Sequence, residues 1–226
     1  MKQKLCLLLF ALNCFSAWSQ LQVQNTQTAQ ELVLNSFLGE NITVSNIKFN
    51  GSATAAQTIR DQIGTFTGGM FALGSEQGLI LATGKISVAQ GPNNSASKSS
   101  DTAMPFAGDA DLALISGATV MNVCNLEFDF IPNGDTLFFE YIFASEEYPE
   151  YAGSSFNDTF ALLLSGPGIS GPFSHGAKNI AIVPNSSDPV GINYLNNGTT
   201  NIGPCVHCAY YLTNGNGTTP AVNNQM

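Results

Sequence analysis

The sequence predicts a mainly β domain, a β-sandwich or jelly-roll-like fold with one short N-terminal helix. Three observations lead to this prediction: short apolar runs with a period of two, turn signals rich in Gly, Asn and Pro between them, and a charged fraction of only 10%. Half-buried strands alternate apolar and polar residues, and turns use Gly and Asn heavily. Hydrophobic residues make up 44% of the chain, which is enough for a core and excludes wholesale disorder.

The N-terminal residues 1–19 predict a secretory signal peptide. Two lysines precede an apolar run that ends at Phe15, and this run is shorter than the about 20 residues of a membrane-spanning helix. Residues 17–19 (AWS) supply small side chains where a signal peptidase cleaves. We therefore expect a protein that is secreted or on the outer cell surface, without a transmembrane span. Residues 20–226 are expected to form a single domain, truncated at its C-terminal end.

The predicted helix opens this domain. Thr28 and Glu31 have the spacing of a capping box, in which each side chain satisfies a backbone amide of the first turn. An apolar stripe then continues to Leu38, and Gly39 ends the helix. After it the apolar period changes to two, which predicts a strand over residues 42–49.

A β-hairpin is predicted in the middle of the chain. Residues 126–130 alternate apolar and acidic side chains, and residues 132–135 (PNGD) are a strong turn signal. The return strand, residues 136–144, is apolar on both faces, so we expect it to be central and covered on both sides. Shorter segments are also assigned: strands over 78–84, 159–164, 179–183, 191–195 and 209–213, and helical turns over 55–63 and 109–115.

Three stretches in the second half of the chain carry a family resemblance. Residues 143–148 (FASEEY), 153–158 (GSSFND) and 164–168 (LSGPG) resemble the choice-of-anchor L domain. The resemblance runs from about Ala29 to the end of the chain. It implies an exported surface module of Bacteroidetes, attached by varied C-terminal signals and often part of large adhesin-like proteins. It implies no particular ligand or reaction.

Eleven carboxylates and no Lys or Arg lie between Lys98 and Lys178. Carboxylates gathered without cations repel one another unless they are solvated, protonated or bridged by a metal ion. Such hard oxygen ligands suit Ca²⁺. The candidate ligands are Asp109, Asp111, Glu146, Glu147 and Asp158. The alternative is a solvated acidic surface, because no EF-hand spacing is present.

Two kinds of enzyme are disfavoured by the residues. Glu127 and Asp129 match two positions of the three-carboxylate motif of jelly-roll glucanases, but Pro132 occupies the third. A serine hydrolase has only His175 and His207 to draw on, and no Gly-x-Ser-x-Gly elbow is present. We therefore predict that the chain is not an enzyme.

Three cysteines follow the predicted signal peptide: Cys124, Cys205 and Cys208. In an exported protein we expect two of them to be oxidised. The disulfide lies either within Cys205/Cys208 or between one of these and Cys124. A redox-active Cys-x-x-Cys is disfavoured, because such motifs begin a helix and this one leads into a strand-like segment.

These observations favour a secreted cell-surface module for binding or adhesion, with Ca²⁺ as its stabilising ion. The expected partner is a surface ligand, either a glycan or a protein. Nucleic acid is excluded, because a net charge of −9 repels phosphate. A structural spacer domain is the main alternative, and a carbohydrate-active enzyme is a weaker one.

Overall fold

The computed structural model of the chain describes residues 21–39, 42–53, 60–91, 93, 95, 98–100 and 108–212. Within these ranges all strands pair in antiparallel fashion and the α-helices are short. The mainly β prediction is therefore confirmed, whereas a sandwich or jelly-roll arrangement stays a prediction. None of the described helices has the length and hydropathy to cross a membrane.

The described strands and helices follow one another along the chain with short turns between many of them. The strands are Gln22–Gln24 (β1), Thr43–Phe49 (β2), Ile63–Thr67 (β3), Gln77–Leu81 (β4), Leu126–Ile131 (β5), Thr159–Phe160 (β6), Leu163–Leu164 (β7), Lys178–Asn179 (β8) and Val190–Gly191 (β9). The α-helices are Ala29–Leu32 (α1), Met70–Leu73 (α2) and Ala110–Ser116 (α3).

Helix α1 begins with the predicted capping box. The Glu31 amide donates to Thr28 Oγ1 at 3.2 Å, and the Thr28 amide donates to Glu31 Oε2 at 2.8 Å. A wider π-helical turn, Val33–Phe37, continues the helix almost to the predicted end. The apolar face of α1 buries Leu32 completely.

Strand β3 is the centre of a three-stranded sheet in the order β1-β3-β4. Its Gly64 lies so close to the backbone of Gln24 that a β-carbon would collide with the Gln24 carbonyl oxygen. A β-carbon at Gly64 would also lie 2.6 Å from Cδ1 of Ile86. Only glycine therefore allows β1 and the Ile86 side chain to pack this tightly on β3.

The first buried cluster fills the space between α1, β2 and β3. It consists of Ala29, Leu32, Phe49 and Ile63. Gln62 is also completely buried here, directly before β3. This cluster holds the N-terminal half of the described chain together.

Strand β5 pairs with β2, which corrects the predicted hairpin. The amide of Asn50 donates to the carbonyl of Asn125 at 2.8 Å, and the amide of Asn125 donates to Asn50 Oδ1 at 2.8 Å. This clamp fixes the end of β2 beside the start of β5. The register shifts once, between Ser45 and Lys48, where Asn46 adopts a left-handed φ of 54°.

The predicted return strand over residues 136–144 was also wrong, since the structure assigns no strand there. The segment is not covered on both sides, because Phe138 is 84% exposed and Ile142 is 50% exposed. Its other side does pack, through Phe139 against Phe37 with ring centroids 6.1 Å apart. The continuous apolar run that suggested a central strand therefore reflects one packed face and one exposed face.

The C-terminal half contains two small sheets, β6-β9 and β7-β8. A second buried cluster, Ala181, Val183 and Val190, lies beside them. The strand predicted over 159–164 is divided into β6 and β7, and those predicted over 179–183 and 191–195 overlap β8 and β9 by one residue each. The strand predicted over 209–213 was wrong, because a 3₁₀ turn occupies Cys208–Tyr210, and residue 213 lies outside the described residues.

Two predicted helical turns have different outcomes. Helix α3 confirms the turn predicted over 109–115. For the turn predicted over 55–63, residues 54–59 lie outside the described residues, and Arg60–Gln62 form a 3₁₀ turn.

Candidate functional site

Residues 145–158, which we call the acidic turn, contain three of the five predicted metal ligands. The backbone folds here into successive turns, in which the Tyr151 amide donates to the Glu147 carbonyl at 3.0 Å and the Ser154 amide donates to the Tyr151 carbonyl at 3.0 Å. These turns join the exposed 136–144 segment to strand β6. The carboxylates are therefore held on a folded connection.

Ser145 links the carboxylate of Asp158 to the backbone of Glu147. Its hydroxyl donates to Asp158 Oδ2 at 2.7 Å and accepts the amide of Glu147 at 3.1 Å. Burial raises the pKa of Glu147 above its ordinary value, and the nearby charge of Asp158 raises it further. The structure thus brings Glu147 and Asp158 together, as the sequence predicted.

Glu146 is the most strongly perturbed carboxyl group of the acidic turn. Burial raises its pKa to about 7, Lys98 opposes this shift, and the charge of Glu147 adds to it. Its Oε2 atom is buried and has no hydrogen-bond partner in the described part of the chain. A buried oxygen without a donor favours either a bound proton or a bound cation.

Glu150 joins the acidic turn although the sequence analysis did not select it. Its Oε1 atom is also buried without a hydrogen-bond partner among the described residues. Burial raises the pKa of Glu150, while a backbone hydrogen bond opposes the shift. Its position in the same run of carboxylates, three residues after Glu147, was the signal that could have identified it.

Tyr148 anchors the acidic turn to the C-terminal half. Its hydroxyl donates to the carbonyl of Leu195, and its ring packs against Tyr211 with centroids 5.1 Å apart. Burial raises the pKa of Tyr148, and the neighbouring Tyr211 and Asp158 raise it further. The hydroxyl therefore stays protonated and serves as a fixed donor.

Asn193 supports the other end of the acidic turn. Its Oδ1 accepts the amide of Gly153 at 2.8 Å, and its Nδ2 donates to the Ser154 carbonyl at 2.9 Å. Its own amide donates to Asn157 Oδ1 at 3.0 Å. The side chain of Asn157, which precedes Asp158, thus holds the backbone of Asn193.

The hydrogen bonds of Asp109 and Asp111 go to α3 and to Ser174, not to the acidic turn. Asp109 is the N-cap of α3 and accepts the Leu112 amide at 2.9 Å. Both carboxylate oxygens of Asp111 accept the Ser174 amide, at 3.0 and 3.1 Å. Across the described residues, no three His, Cys, Asp or Glu side chains form a group suited to a metal ion.

The residues considered for catalysis also have structural partners. Asp129 accepts a hydrogen bond from Asn46 at 2.5 Å, and Glu127 accepts one from Asn125 at 3.3 Å. His207 Nε2 lies 2.8 Å from Asp188 Oδ2. Among the described residues, no hydrogen bond joins a histidine to a serine or threonine hydroxyl.

The cysteines adopt one of the two predicted pairings. Cys205 and Cys208 form a disulfide with Cα atoms 5.4 Å apart. Cys124 is free, and its thiol faces the first buried cluster and donates to the Gln62 carbonyl at 3.5 Å. Burial raises the pKa of this thiol to about 12, while a backbone hydrogen bond opposes the shift.

A neighbouring loop is closed by backbone pairing. The Asn196 amide donates to the Val206 carbonyl at 2.9 Å, and the Val206 amide donates to the Asn196 carbonyl at 3.0 Å. Residues 197–205 therefore form a closed loop whose tip residue, Ile202, is 75% exposed.

Comparison with known proteins gives one match. The family model described as the choice-of-anchor L domain matches residues 21–225. No curated protein and no solved structure matches the chain.

Proposed function

Because this chain belongs to the choice-of-anchor L family, we propose that it is the ligand-binding module of a surface-anchored protein and that Ca²⁺ stabilises its acidic turn. The family assigns the chain to a surface-anchored module. We add two proposals to this assignment. The module binds a glycan or protein at the cell surface, and Ca²⁺ stabilises it.

The observation that carries the Ca²⁺ proposal is that the acidic turn forms no ion pair among the described residues, although the charge of Lys98 acts on Glu146. The described residues contain two ion pairs, Lys85–Asp61 at 3.3 Å and His207–Asp188 at 2.8 Å. Neither involves the acidic turn, whose Glu146 and Glu150 each keep a buried oxygen without a donor. A cation supplied from solution would satisfy these oxygens and remove the repulsion between the carboxylates.

Glu147 and Asp158 are the proposed central ligands. Both are held by Ser145, and calcium sites combine a few carboxylates with backbone carbonyls and waters. Glu146 and Glu150 lie on the same turn, and Ca²⁺ would draw them toward this pair, because the described residues hold no ready-made group of three such side chains.

Asp109 and Asp111 remain proposed outer ligands. Helix α3 packs against β6, the strand that follows Asp158 directly. Their hydrogen bonds to backbone amides leave free lone pairs on both carboxylates.

Thermal unfolding of the full chain in millimolar Ca²⁺ and in chelator tests this proposal. At a hundredfold excess of Ca²⁺ over Kd, binding to the folded state alone adds about 2.7 kcal/mol, which raises the Tm of a domain of this size by roughly 5–11 °C. Glu147→Gln and Asp158→Asn should each remove most of this increase. Glu76→Gln, a change at an exposed carboxylate elsewhere, should leave it intact.

Two further results decide between the proposal and its alternatives. Identical melting curves with Ca²⁺ and with chelator would reject the calcium site. Retention of the protein by immobilised glycans or by intact cells supports the binding role. A chain that binds neither would instead be a spacer.

A further inference from the structure

We propose that residues 137–144, which we call the docking edge, bind an extended strand of a positively charged partner protein. The inference deepens the proposed binding role, on which it rests, by naming the surface used and the chemistry of the partner.

The backbone of the docking edge is unpaired. No amide or carbonyl of residues 137–144 makes a hydrogen bond within the described part of the chain. An unpaired backbone segment can pair with another extended chain, because that chain supplies the missing donors and acceptors. Drawn out as a strand at about 3.3 Å per residue, the eight residues would present an edge of about 26 Å.

Packing on one side holds the docking edge in place. Phe139 contacts Phe37, and Tyr141 contacts Phe160 with ring centroids 5.0 Å apart. Phe143 packs against the second buried cluster. The edge is therefore anchored at both ends, which reduces the entropy lost when a partner binds.

The other side of the docking edge offers apolar contacts to a partner. Phe138 and Ile142, which lie four residues apart with Glu140 between them, are exposed by 84% and 50%. Large apolar side chains exposed on one surface mark interaction sites. A partner strand would cover them with its own apolar residues while its backbone pairs with the edge.

The acidic residues near the docking edge favour a positively charged partner. Glu140 lies exposed within the docking edge, and the exposed Asp135 precedes it. The sequence has no Lys or Arg from residue 99 to residue 177. A second copy of the chain, with a net charge of −9, would be repelled, whereas a strand with lysines between its apolar residues would be attracted.

The probe for this inference is a synthetic nine-residue peptide that alternates valine with lysine or threonine (acetyl-KVTVKVTVK-amide). We expect the full chain to bind it, as measured by fluorescence anisotropy of a labelled peptide. A matched peptide with glutamate in place of lysine should bind at least tenfold more weakly. A peptide N-methylated at alternate residues should also lose at least tenfold, because it lacks the donors that pair with the edge.

Variants of the chain locate the binding surface. Phe138→Ser and Ile142→Ser should each weaken peptide binding at least fivefold. Leu114→Ser, a matched change of an exposed apolar residue on α3, should leave it unchanged. Peptide binding should also slow hydrogen exchange of the amides of residues 137–144, a readout that needs no variant.

Several outcomes would overturn the inference. These are absent binding, equal binding of the N-methylated peptide, or exchange protection elsewhere but not at the docking edge. A dimer in sedimentation experiments that Phe138→Ser abolishes would make the occupant a second copy. A normal Ca²⁺-dependent rise in Tm combined with any of these results would reject the docking edge and leave the calcium proposal standing.

Discussion

Asn50 Nδ2 donates to Gln62 Oε1 at 3.1 Å inside the first buried cluster. The Gln62 amide group in turn donates to the carbonyls of Thr83 and Val123, at 3.0 and 3.3 Å. The same Asn50 clamps Asn125 at the start of β5. Asn50 follows β2 and Gln62 precedes β3. Their two side-chain amides therefore join these strands to Thr83, which follows β4, and to Val123 and Asn125, which precede β5.

We predict that Gln62→Leu strongly destabilises the fold. The leucine fills much of the volume but leaves the carbonyls of Thr83 and Val123 and the side-chain amide of Asn50 unpaired. Each buried unpaired group costs about 1–3 kcal/mol, so we expect a loss of about 3 kcal/mol. Urea unfolding measures it. Gln30→Leu, at an exposed position of α1, should change stability by less than about 0.5 kcal/mol.

A second prediction concerns the close packing of β1 on β3. Gly64→Ala should cost about 3 kcal/mol, since its β-carbon meets a backbone carbonyl that has no room to move. Gly134→Ala is the matched control, because a β-carbon there has no neighbour within 4 Å. Equal melting temperatures for the two variants would contradict the described packing.

Stability should depend on pH through Glu146. Its pKa rises from an ordinary value of 4.5 to about 7 on folding. Between these values the folded state binds more protons than the unfolded state, so the free energy of unfolding falls as pH rises through this window. Allowing for solvent screening of the exposed part of the side chain, the loss is about 1–2 kcal/mol.

Glu146→Gln provides the measurement for this pH dependence. In chelator, the variant should gain stability relative to the parent chain as pH rises from 5 to 8. Glu76→Gln should show no such trend relative to the parent chain. A constant difference between Glu146→Gln and the parent across this range would show that Glu146 titrates normally.

The calcium proposal makes a linked prediction. Protons and Ca²⁺ compete for the same carboxylates, and burial raises the pKa values of Glu146, Glu147 and Glu150. The Ca²⁺-dependent rise in Tm should therefore be larger at pH 8 than at pH 5.5. A rise that is unchanged or larger at pH 5.5 would place the ion away from these residues.

The cysteines should differ sharply in reactivity. For the chain that follows residue 19, peptide mapping without reductant should find the Cys205–Cys208 disulfide and one thiol, Cys124. Alkylation of Cys124 should be slow in the folded protein and fast in denaturant, because its thiol is buried and protonated. Replacing both disulfide cysteines with serine should cost about 2 kcal/mol, the entropy that closing so short a loop removes from the unfolded chain.

Local signals in the sequence predicted local structure well. The Thr28–Glu31 spacing predicted the capping box, an apolar period of about two predicted β2, and strict alternation predicted β5. The lack of basic residues predicts metal ligands at Asp109, Asp111, Glu146, Glu147 and Asp158, and this stays a prediction. Ser145 does bond the Asp158 carboxylate and the Glu147 amide. These features depend on interactions between residues that are near in sequence or on composition.

Pairing between distant segments could not be predicted in the same way. The turn signal at 132–135 favoured a hairpin, but the Asn50–Asn125 clamp gives β5 a partner more than seventy residues away. Nothing in the periodicity of either strand specifies that partner. The burial of Gln62 could not be predicted from the sequence either, because glutamine ordinarily lies on the protein surface.

Asp109 and Asp111 illustrate a further limit. Sequence spacing shows that two carboxylates are near each other, but it does not show which backbone amides they meet. One carboxylate caps α3 and the other accepts the amide of Ser174, sixty-three residues away. The chemistry expected of such a pair depends on neighbours that only the fold supplies.

The closed loop over residues 197–205 has a practical consequence. Its base is fixed by the Asn196–Val206 backbone pair and its tip, Ile202, points outward. Loop-closure entropy rises by only about 0.6 kcal/mol for each doubling of loop length. An epitope or affinity tag grafted after Ile202 would therefore be displayed to solvent at little cost, which makes this loop a natural place to label the protein on living cells.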